Sequence, residues 1–173
     1  QAVATGDALF TLDTAPYEVA LAKAEADLAR ARTDVAALKA SYREQQAQIA
    51  LATTRERFAG KEYRRRADLA TKGYVSAISL DEAQEQVDLA HQQTIALEHD
   101  LARISATLDG SVDLPVEQHP EYLAAAAALA QAKLDLARTT VYAPFAGVVS
   151  KLPKVGAYLA PGTAALALVG GQP

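Results

Sequence analysis

The residues best suited to proton transfer or metal binding near neutral pH are three histidines, His91, His99 and His119. Neither chemistry finds partners. No two of them stand four apart on a helix, and there is no cysteine to join them. A zinc site needs three or four convergent ligands. Glu98 adjoins His99 in sequence but falls on another helix face. All three therefore read as surface histidines. Acidic residues are many, yet they sit mostly at the polar positions of a repeating pattern, and nothing in their spacing points to a perturbed pKa. The nucleophile elbow G-x-S-x-G, the phosphate-binding P-loop and the dinucleotide motif G-x-G-x-x-G are absent. The chain reads as a non-enzyme with no metal and no cofactor. Its one dense cationic run is Lys61, Arg64, Arg65 and Arg66, which by itself is a solvated face near a helix C-terminus, where cations are favoured. Nearby, Leu69 reads as a seam residue or an exposed contact where the seam ends, and Ser76 as a turn residue or helix cap.

The composition excludes other classes. With a formal net charge of −4, nucleic acid is not the expected partner, because phosphate binding needs a positive surface. Half of the 173 residues are hydrophobic but only 6% are aromatic, and alanine is abundant. Alanine favours helices and lets them approach closely, but it buries little area, so a thick globular core is not expected. Absence of cysteine rules out a disulfide framework and is compatible with an oxidising compartment. No run of about 18 apolar residues could span a bilayer, and no signal peptide is present. The opening Gln1-Ala-Val-Ala-Thr-Gly6 reads as the middle of something, a fragment whose export signal or membrane anchor has been removed.

The elements that would position these residues are of two kinds. Both ends carry β signals. QAVATGDALFTLD (1–13) has a Gly-Asp turn between short apolar stretches, and 140–170 is punctuated by Pro144, Gly147, Pro153, Gly156, Pro161 and Gly162 between valines and aromatics. The ends also repeat each other: Val3-Ala-Thr-Gly6 resembles Leu159-Ala-Pro-Gly162, with Leu12 and Leu168 each six residues after the glycine. The middle is helical. Leu21, Leu28, Val35, Tyr42 and Ile49 recur every seven residues, with Ala24, Ala31, Leu38 and Ala52 three further on and polar Gln45 the exception. The phase blurs near Arg55–Tyr63, where Leu51, Phe58 and Gly60 suggest a stutter. A second seam runs Leu80, Ala83, Val87, Ala90, Thr94, Leu97, Leu101, Ile104, Leu108, and a third has Tyr122, Leu129 and Leu136 with Ala125, Ala132 and Thr139 between.

These patterns predict a mostly α fold with a small β part. One helix occupies 16–72, opened by Pro16 in its first turn and ended by Lys72-Gly73, where glycine supplies the left-handed cap. A tip follows at 73–78. The returning arm covers 79–109 and 120–140, started by a capping box of Ser79 and Glu82 with Asp81 adding negative charge. The break at 110–119 reads as a tolerated insertion, with a flexible joint as the alternative. At 1.5 Å per residue the first arm would be roughly 85 Å long, the length of a spacer or docking arm. The β regions at 1–14 and 141–173 would pair because 15–140 returns the chain to its start.

At this point the residues resemble a known family. Val3, Gly6-Asp7, Leu9-Phe10 and Leu12-Asp13 are similar to the V-x-x-G-D-x-L-F-x-L-D strand of the periplasmic adaptor proteins, also called membrane fusion proteins (HlyD-like). Leu136-Ala-Arg-Thr-Thr-Val-Tyr-Ala-Pro-Phe-Ala-Gly-Val-Val looks like that family's L-x-x-T-x-I-x-A-P-x-D-G-x-V, with Ala146 in place of the usual Asp. Arg65, Leu69 and Ser76 have the spacing of its Arg–Leu–Ser tip motif, and Asp81 follows five after Ser76 as it does there. EQHPEYLAAAAALAQAKLDLARTTVYAP looks like the same stretch of EmrA-like adaptors of multidrug efflux pumps, whose return arm is also interrupted by a Pro-containing segment.

The resemblance implies a long antiparallel coiled-coil hairpin inserted between two halves of a lipoyl/biotinyl-like β domain, with turns at Gly6, Asp7, Pro144, Gly147, Gly156 and Gly162. It implies a channel-docking tip of Arg65, Leu69, Gly73, Ser76 and Asp81. It implies a periplasmic protein, anchored to the inner membrane when full length, that assembles as a trimer or hexamer. Its partners would be an inner-membrane transporter, of major-facilitator type, and an outer-membrane channel protein. An adaptor of a type I (ABC) secretion system or of a resistance-nodulation-division pump remains an alternative, as does a coiled-coil tether without channel contact. True lipoyl and biotin carrier domains bear their cofactor on a lysine at the tip of the hairpin joining the halves. Here the helical insertion takes that place and no Asp-Lys-Ala or Met-Lys-Met motif exists, so no covalent lipoyl or biotin is expected.

Overall fold

A computed structural model of the chain describes residues 1–151 and 153–170. The elements in order are β1 (Ala2–Val3), β2 (Ala8–Thr11), α1 (Ala15–Thr71), α2 (Ala77–Thr107), a 3₁₀ turn at Val116–Gln118, α3 (Pro120–Ala137), β3 (Thr140–Tyr142), β4 (Gly147–Ser150) and β5 (Ala167–Val169). The fold is mostly helical, with long helices and two small sheets. It divides into two compact units, Gln1–Asp27 with Ala126–Pro173, and Leu28–Ala125. Of the expected β region 141–173, Leu152 and residues 171–173 lie outside the described residues.

In the first unit, strands from the two chain ends pair. β1 and β4 are antiparallel, with Ala2 opposite Val148, and β4 pairs antiparallel with β5. β2 and β3 form a second antiparallel pair with a bulge between Ala8 and Phe10. Further backbone bonds extend the pairing: Gly6 N–H donates to Ala143 O (2.8 Å), Ala143 N–H to Asp7 O (2.8 Å) and Leu12 N–H to Thr139 O (2.8 Å). Ala143, Val149 and Thr139 are buried where these strands meet. The repeated segments share a turn. Asp7 N–H donates to Ala4 O and Thr163 N–H to Ala160 O, each at 3.2 Å. The third residue of each turn is a glycine with positive φ, 89° at Gly6 and 81° at Gly162, as a type II turn requires. Asp7 Oδ2 also accepts from Ala4 N–H at 2.7 Å, which closes the first turn twice.

α1 has 57 residues. It opens where Asp13 Oδ1 accepts Ala15 N–H and Thr14 O accepts Glu18 N–H. Pro16 falls in the first turn, where its missing N–H costs nothing. It ends in a Schellman motif: Tyr74 N–H donates to Leu69 O (2.9 Å) and Gly73 N–H to Ala70 O (3.0 Å), with Gly73 at φ 77°. α2 starts two residues before the expected Ser79. Its cap is Ser76, whose hydroxyl accepts Ser79 N–H at 3.2 Å. The capping box of Ser79 and Glu82 therefore does not form, and Asp81 lies beyond the first turn. The C-terminal motif ends α1 so abruptly that the first free extended residue with a hydroxyl takes the cap.

Within the second unit the seam of α1 keeps its register. Leu28, Ala31, Val35, Leu38, Tyr42, Gln45, Ile49, Ala52, Glu56, Ala59, Tyr63 and Arg66 are buried or half-buried at unbroken spacings of three and four. The expected stutter is absent. Leu51 and Phe58, which suggested it, are exposed. The seam instead turns polar at Glu56 and Arg66, and this disguises the period. α2 presents Leu80, Ala83, Val87, Ala90, Thr94, Leu97, Leu101, Ile104 and Leu108, with Ala83, Thr94 and Leu108 buried. The seam exception Gln45 finds a use: its Nε2 donates to Leu97 O at 3.0 Å.

The break between α2 and α3 is fastened at several points. α2 ends in a second Schellman motif, with Gly110 N–H to Ser105 O (2.9 Å) and Asp109 N–H to Ala106 O (3.0 Å). Asp109 (φ 50°) and Gly110 (φ 69°) are both left-handed. Lys39 Nζ donates to Leu114 O, and Arg32 pairs with Glu117 at 3.1 Å. His119 corrects the surface reading of the histidines. It is 3% exposed, and its Nε2 lies 3.0 Å from Ser111 O. A carbonyl only accepts, so Nε2 carries the proton. The bond satisfies a buried polar ring and draws the two ends of the break together.

Candidate functional site: the hairpin tip

The tip is built from the last turns of α1, the loop 72–76 and the first turns of α2. Arg65 is exposed and its Nη2 pairs with Glu62 at 2.8 Å. Leu69 is half-buried rather than an open contact, and its carbonyl accepts from both Lys72 and Tyr74. Gly73 is the left-handed cap. Ser76 is exposed and caps α2. Asp81 is exposed. Arg65 lies eight residues before the Gly73 cap and Asp81 eight after it, and Arg65, Ser76 and Asp81 are open to solvent. Of the expected β-domain turns, Gly6 and Asp7 close the first β turn and Gly162 the repeat-related one. Gly156 is left-handed (φ 80°) in a third turn, Ala157 N–H to Lys154 O. Pro144 precedes the exposed Phe145 between β3 and β4, and Gly147 begins β4.

Sequence reasoning missed three contributors at the tip. Arg66, not Arg65, ties the helices together: its Nη1 donates to Ser79 O (3.1 Å) and Ser79 Oγ (3.2 Å), and its Nε to Glu62 Oε1 (3.1 Å). The signal was available, since Arg66 stands seven after Ala59 in the seam. Tyr74 and Ile78 are apolar and largely exposed, at 76% and 71%, so the apex offers contact area around the polar groups. Arg66→Met is expected to lower the unfolding free energy by about 1 kcal/mol through loss of the Ser79 bonds. Arg65→Met, which removes only an exposed pair, is expected to change it by less than about 0.5 kcal/mol. Urea melts of the two variants check this, and equal effects would refute the assigned roles.

Two carboxyls are perturbed, contrary to the expectation from spacing. Arg65 and then Arg66 hold Glu62 below the usual carboxylate range. Glu56 is lowered by the Thr94 hydroxyl first and the His91 ring second. His91 Nδ1 is 2.8 Å from Glu56 Oε1. The Thr94 hydroxyl also lies 3.2 Å from Ala90 O, and its rotor can serve either acceptor. Because both pKa values are depressed on folding, these contacts favour the folded state above the ordinary carboxyl pKa of 4.5. That contribution is lost as pH falls through the lowered values. Glu56 bridges to α2 through His91 and Thr94, whereas Glu62 pairs only with Arg65 and Arg66 of its own helix. Beside Glu62 an open cleft of 660 Å³ is lined by Phe58, Ala59, Arg66, Glu82, Ala83 and Gln86. Among the described residues no group of three His, Cys, Asp or Glu could hold a metal ion. No helix among them is long and apolar enough to cross a membrane.

A capped two-helix turn on a continuous antiparallel seam defines a long α-helical hairpin. Residues 16–139 match the family model "EMRA, alpha-helical hairpin domain", and the chain belongs to that family, the EmrA-like membrane fusion proteins. It is 36% identical over 172 residues to multidrug resistance protein MdtN of Shigella flexneri, covering 91% of this chain and 47% of that protein. It is 34% identical over 169 residues to fatty acid resistance protein FarA of Neisseria gonorrhoeae, covering 97% of this chain and 42% of that one. The chain spans about half the length of the curated relatives it matches. Among solved structures, the periplasmic adaptor protein EmrA aligns with 98% of this chain and 65% of that chain, at 17% identity and a TM-score of 0.46.

Proposed function

We propose that the chain is the hairpin portion of a periplasmic adaptor in a tripartite efflux pump, joining an inner-membrane transporter, of major-facilitator type, to an outer-membrane channel. The exported compounds would be drugs or other small molecules, consistent with the multidrug and fatty acid resistance named for its relatives. The full-length protein would sit in the periplasm, anchored to the inner membrane. The paired strands at the two chain ends would be halves of a lipoyl-like β domain that carries no cofactor and packs against neighbouring copies, in a trimer or hexamer. The adaptor seals and gates a conduit and does no chemistry.

The observation that supports this reading best is the tip. Its backbone is closed by a Schellman motif and a serine cap, while Arg65, Ser76 and Asp81 are left exposed beside Tyr74 and Ile78. Such a patch is small, so one contact would be weak, and several tips arranged in a ring would reach useful affinity through multivalency. Single cysteines at Ser76 or Leu69 in the full-length protein, with Gln48→Cys as a mid-arm control, test it by cross-linking in the cell envelope. The expected result is capture of an outer-membrane channel protein from the tip positions only. Transport that continues while tip cysteines capture nothing but other copies would overturn channel docking.

A further inference from the structure

The cleft below the tip holds charges that nothing in the chain neutralises. Phe58 and Ala59 of α1 and Ala83 of α2 supply its apolar lining, and Arg55, Glu82 and Glu85 supply charge. Ala59 and Ala83 stand at seam positions, where a leucine would fill the space between the helices and an alanine leaves it open. Phe58 is 71% exposed, so most of its ring forgoes the gain of burial until something covers it. Glu62 and Arg66 also line the cleft, but they pair with each other at 3.1 Å. Arg55, Glu82 and Glu85 form no ion pair among the described residues. Nor does any of their side chains form a hydrogen bond there. Glu82 is free because the cap of α2 falls on Ser76 and not on Ser79. Two unpaired carboxylates against one guanidinium leave the cleft net negative.

The charges are also sorted along the cleft. The ties Glu56–His91 and Arg66–Ser79 set the register of the two helices. By that register Glu85 and Glu82 stand level with residues 61–64 of α1, on the tip side of Phe58 and roughly 4–9 Å from it along the axis. Arg55 lies on the other side of Phe58, roughly 4.5 Å further from the carboxylates. Lys61 and Arg64, which share the level of the two carboxylates, do not line the cleft. Glu82 and Glu85 are three residues apart on one helix face, so their like charges repel and a cation between them would relieve that repulsion. The cleft thus offers an exposed ring and small apolar side chains at one end and a pair of uncompensated carboxylates at the other.

We infer that this cleft binds a hydrophobic organic cation, its aromatic body against Phe58, Ala59 and Ala83 and its cationic centre beside Glu82 and Glu85. The volume of 660 Å³ lies within the range of roughly 300–1,000 Å³ that holds drug-sized molecules. The Phe58 ring serves such a ligand twice, by stacking on an aromatic body and by attracting positive charge to its face. Charge complementarity selects the class. An anion would meet two carboxylates and only one guanidinium, and a neutral compound would leave both carboxylates unused. A metal ion is not selected, since no group of three His, Cys, Asp or Glu among the described residues could hold one. The open side keeps the carboxylates near water, so each contributes modestly and the ligand exchanges readily. The inference deepens the efflux reading by naming a class of exported compound. It rests on that reading for the fate of the ligand and not for its binding.

The test titrates full-length protein with ethidium, a planar aromatic cation whose fluorescence rises when it leaves water. Saturable binding is expected. Glu82→Gln with Glu85→Gln should weaken it about tenfold, the loss of two modest charge contacts. Phe58→Ala should weaken it about fivefold. All three side chains are exposed, so these variants should keep the helix content of the parent, and they share every contribution that detergent or membrane makes to the signal. An anionic dye of similar size, anilinonaphthalene sulfonate, should bind the parent no better than the Gln variant. Absence of saturable ethidium binding, equal affinity in parent and variants, or tighter binding of the anionic dye to the parent than to the Gln variant would overturn the inference. So would ethidium binding that appears only on dilution to single chains, which would give the cleft to another copy. If ethidium binding fails while Ser76→Cys still captures a channel protein, the adaptor reading stands without it.

Discussion

Leu108→Ala is expected to lower the unfolding free energy of the chain by about 3 kcal/mol, within the range for truncating a fully buried leucine. Leu108 is 1% exposed, the most enclosed side chain together with Val35. It sits where the α2 seam ends and the chain turns into the break. The site cannot collapse around a cavity easily, because the backbone there is tied: Leu108 N–H donates toward Ile104 O and Ser105 O, and its own carbonyl accepts Ser111 N–H at 2.8 Å. Leu89→Ala is the matched control. Leu89 is on α2, the helix that Leu108 caps, but 56% exposed, and its loss should change stability by less than about 0.5 kcal/mol. Urea denaturation followed by helix content measures both. If Leu108→Ala behaved like Leu89→Ala, the break would not be fastened onto the helices as described.

The second large effect concerns the small sheets. A Cβ added at Gly147 would lie 2.5 Å from Val169 O and 3.1 Å from Val169 C, both backbone atoms of β5. No rotamer change relieves that overlap, so β4 and β5 must separate. Gly147→Ala is expected to cost about 3 kcal/mol, the upper end for overpacking. β5 has only three residues and pairs on one side, so it should detach while the helices hold. Hydrogen exchange then reports loss of protection at Ala167–Val169, with protection in α1 and α2 retained. Gly6→Ala separates space from conformation. Gly6 has φ 89° but open space around its missing Cβ, so that variant should cost only about 1 kcal/mol. If Gly147→Ala were as mild as Gly6→Ala, the close approach of β5 would be wrong.

Arg66 joins the two helices through Ser79, so its replacement should weaken stability before it alters any contact that the tip makes.

The amino-acid sequence by itself determined the helices, their antiparallel return and the site of the tip. A seven-residue apolar repeat specifies which face of a helix is buried without reference to any partner, and a glycine after the last turn followed by a serine specifies the turn by local bonding alone. The tandem turns around Gly6 and Gly162 were legible as a repeat for the same local reason. Only the tertiary structure decided the rest. Glu56 and Arg66 are seam residues that an apolar pattern cannot reveal, because their burial depends on His91, Thr94 and Ser79 across the interface. Ser76 prevailed over Ser79 as a cap because the C-terminal motif of α1 sets where extended backbone resumes. His119 can be buried because its Nε2–H donates to the carbonyl of Ser111, eight residues away. The sheets have strands of two to four residues, too short for alternation to set a register, so the demand for glycine at position 147 arises only when β5 lies against it. Local periodicity and capping are written along the chain, whereas the partners of buried polar groups and the closeness of two backbones exist only once distant segments meet.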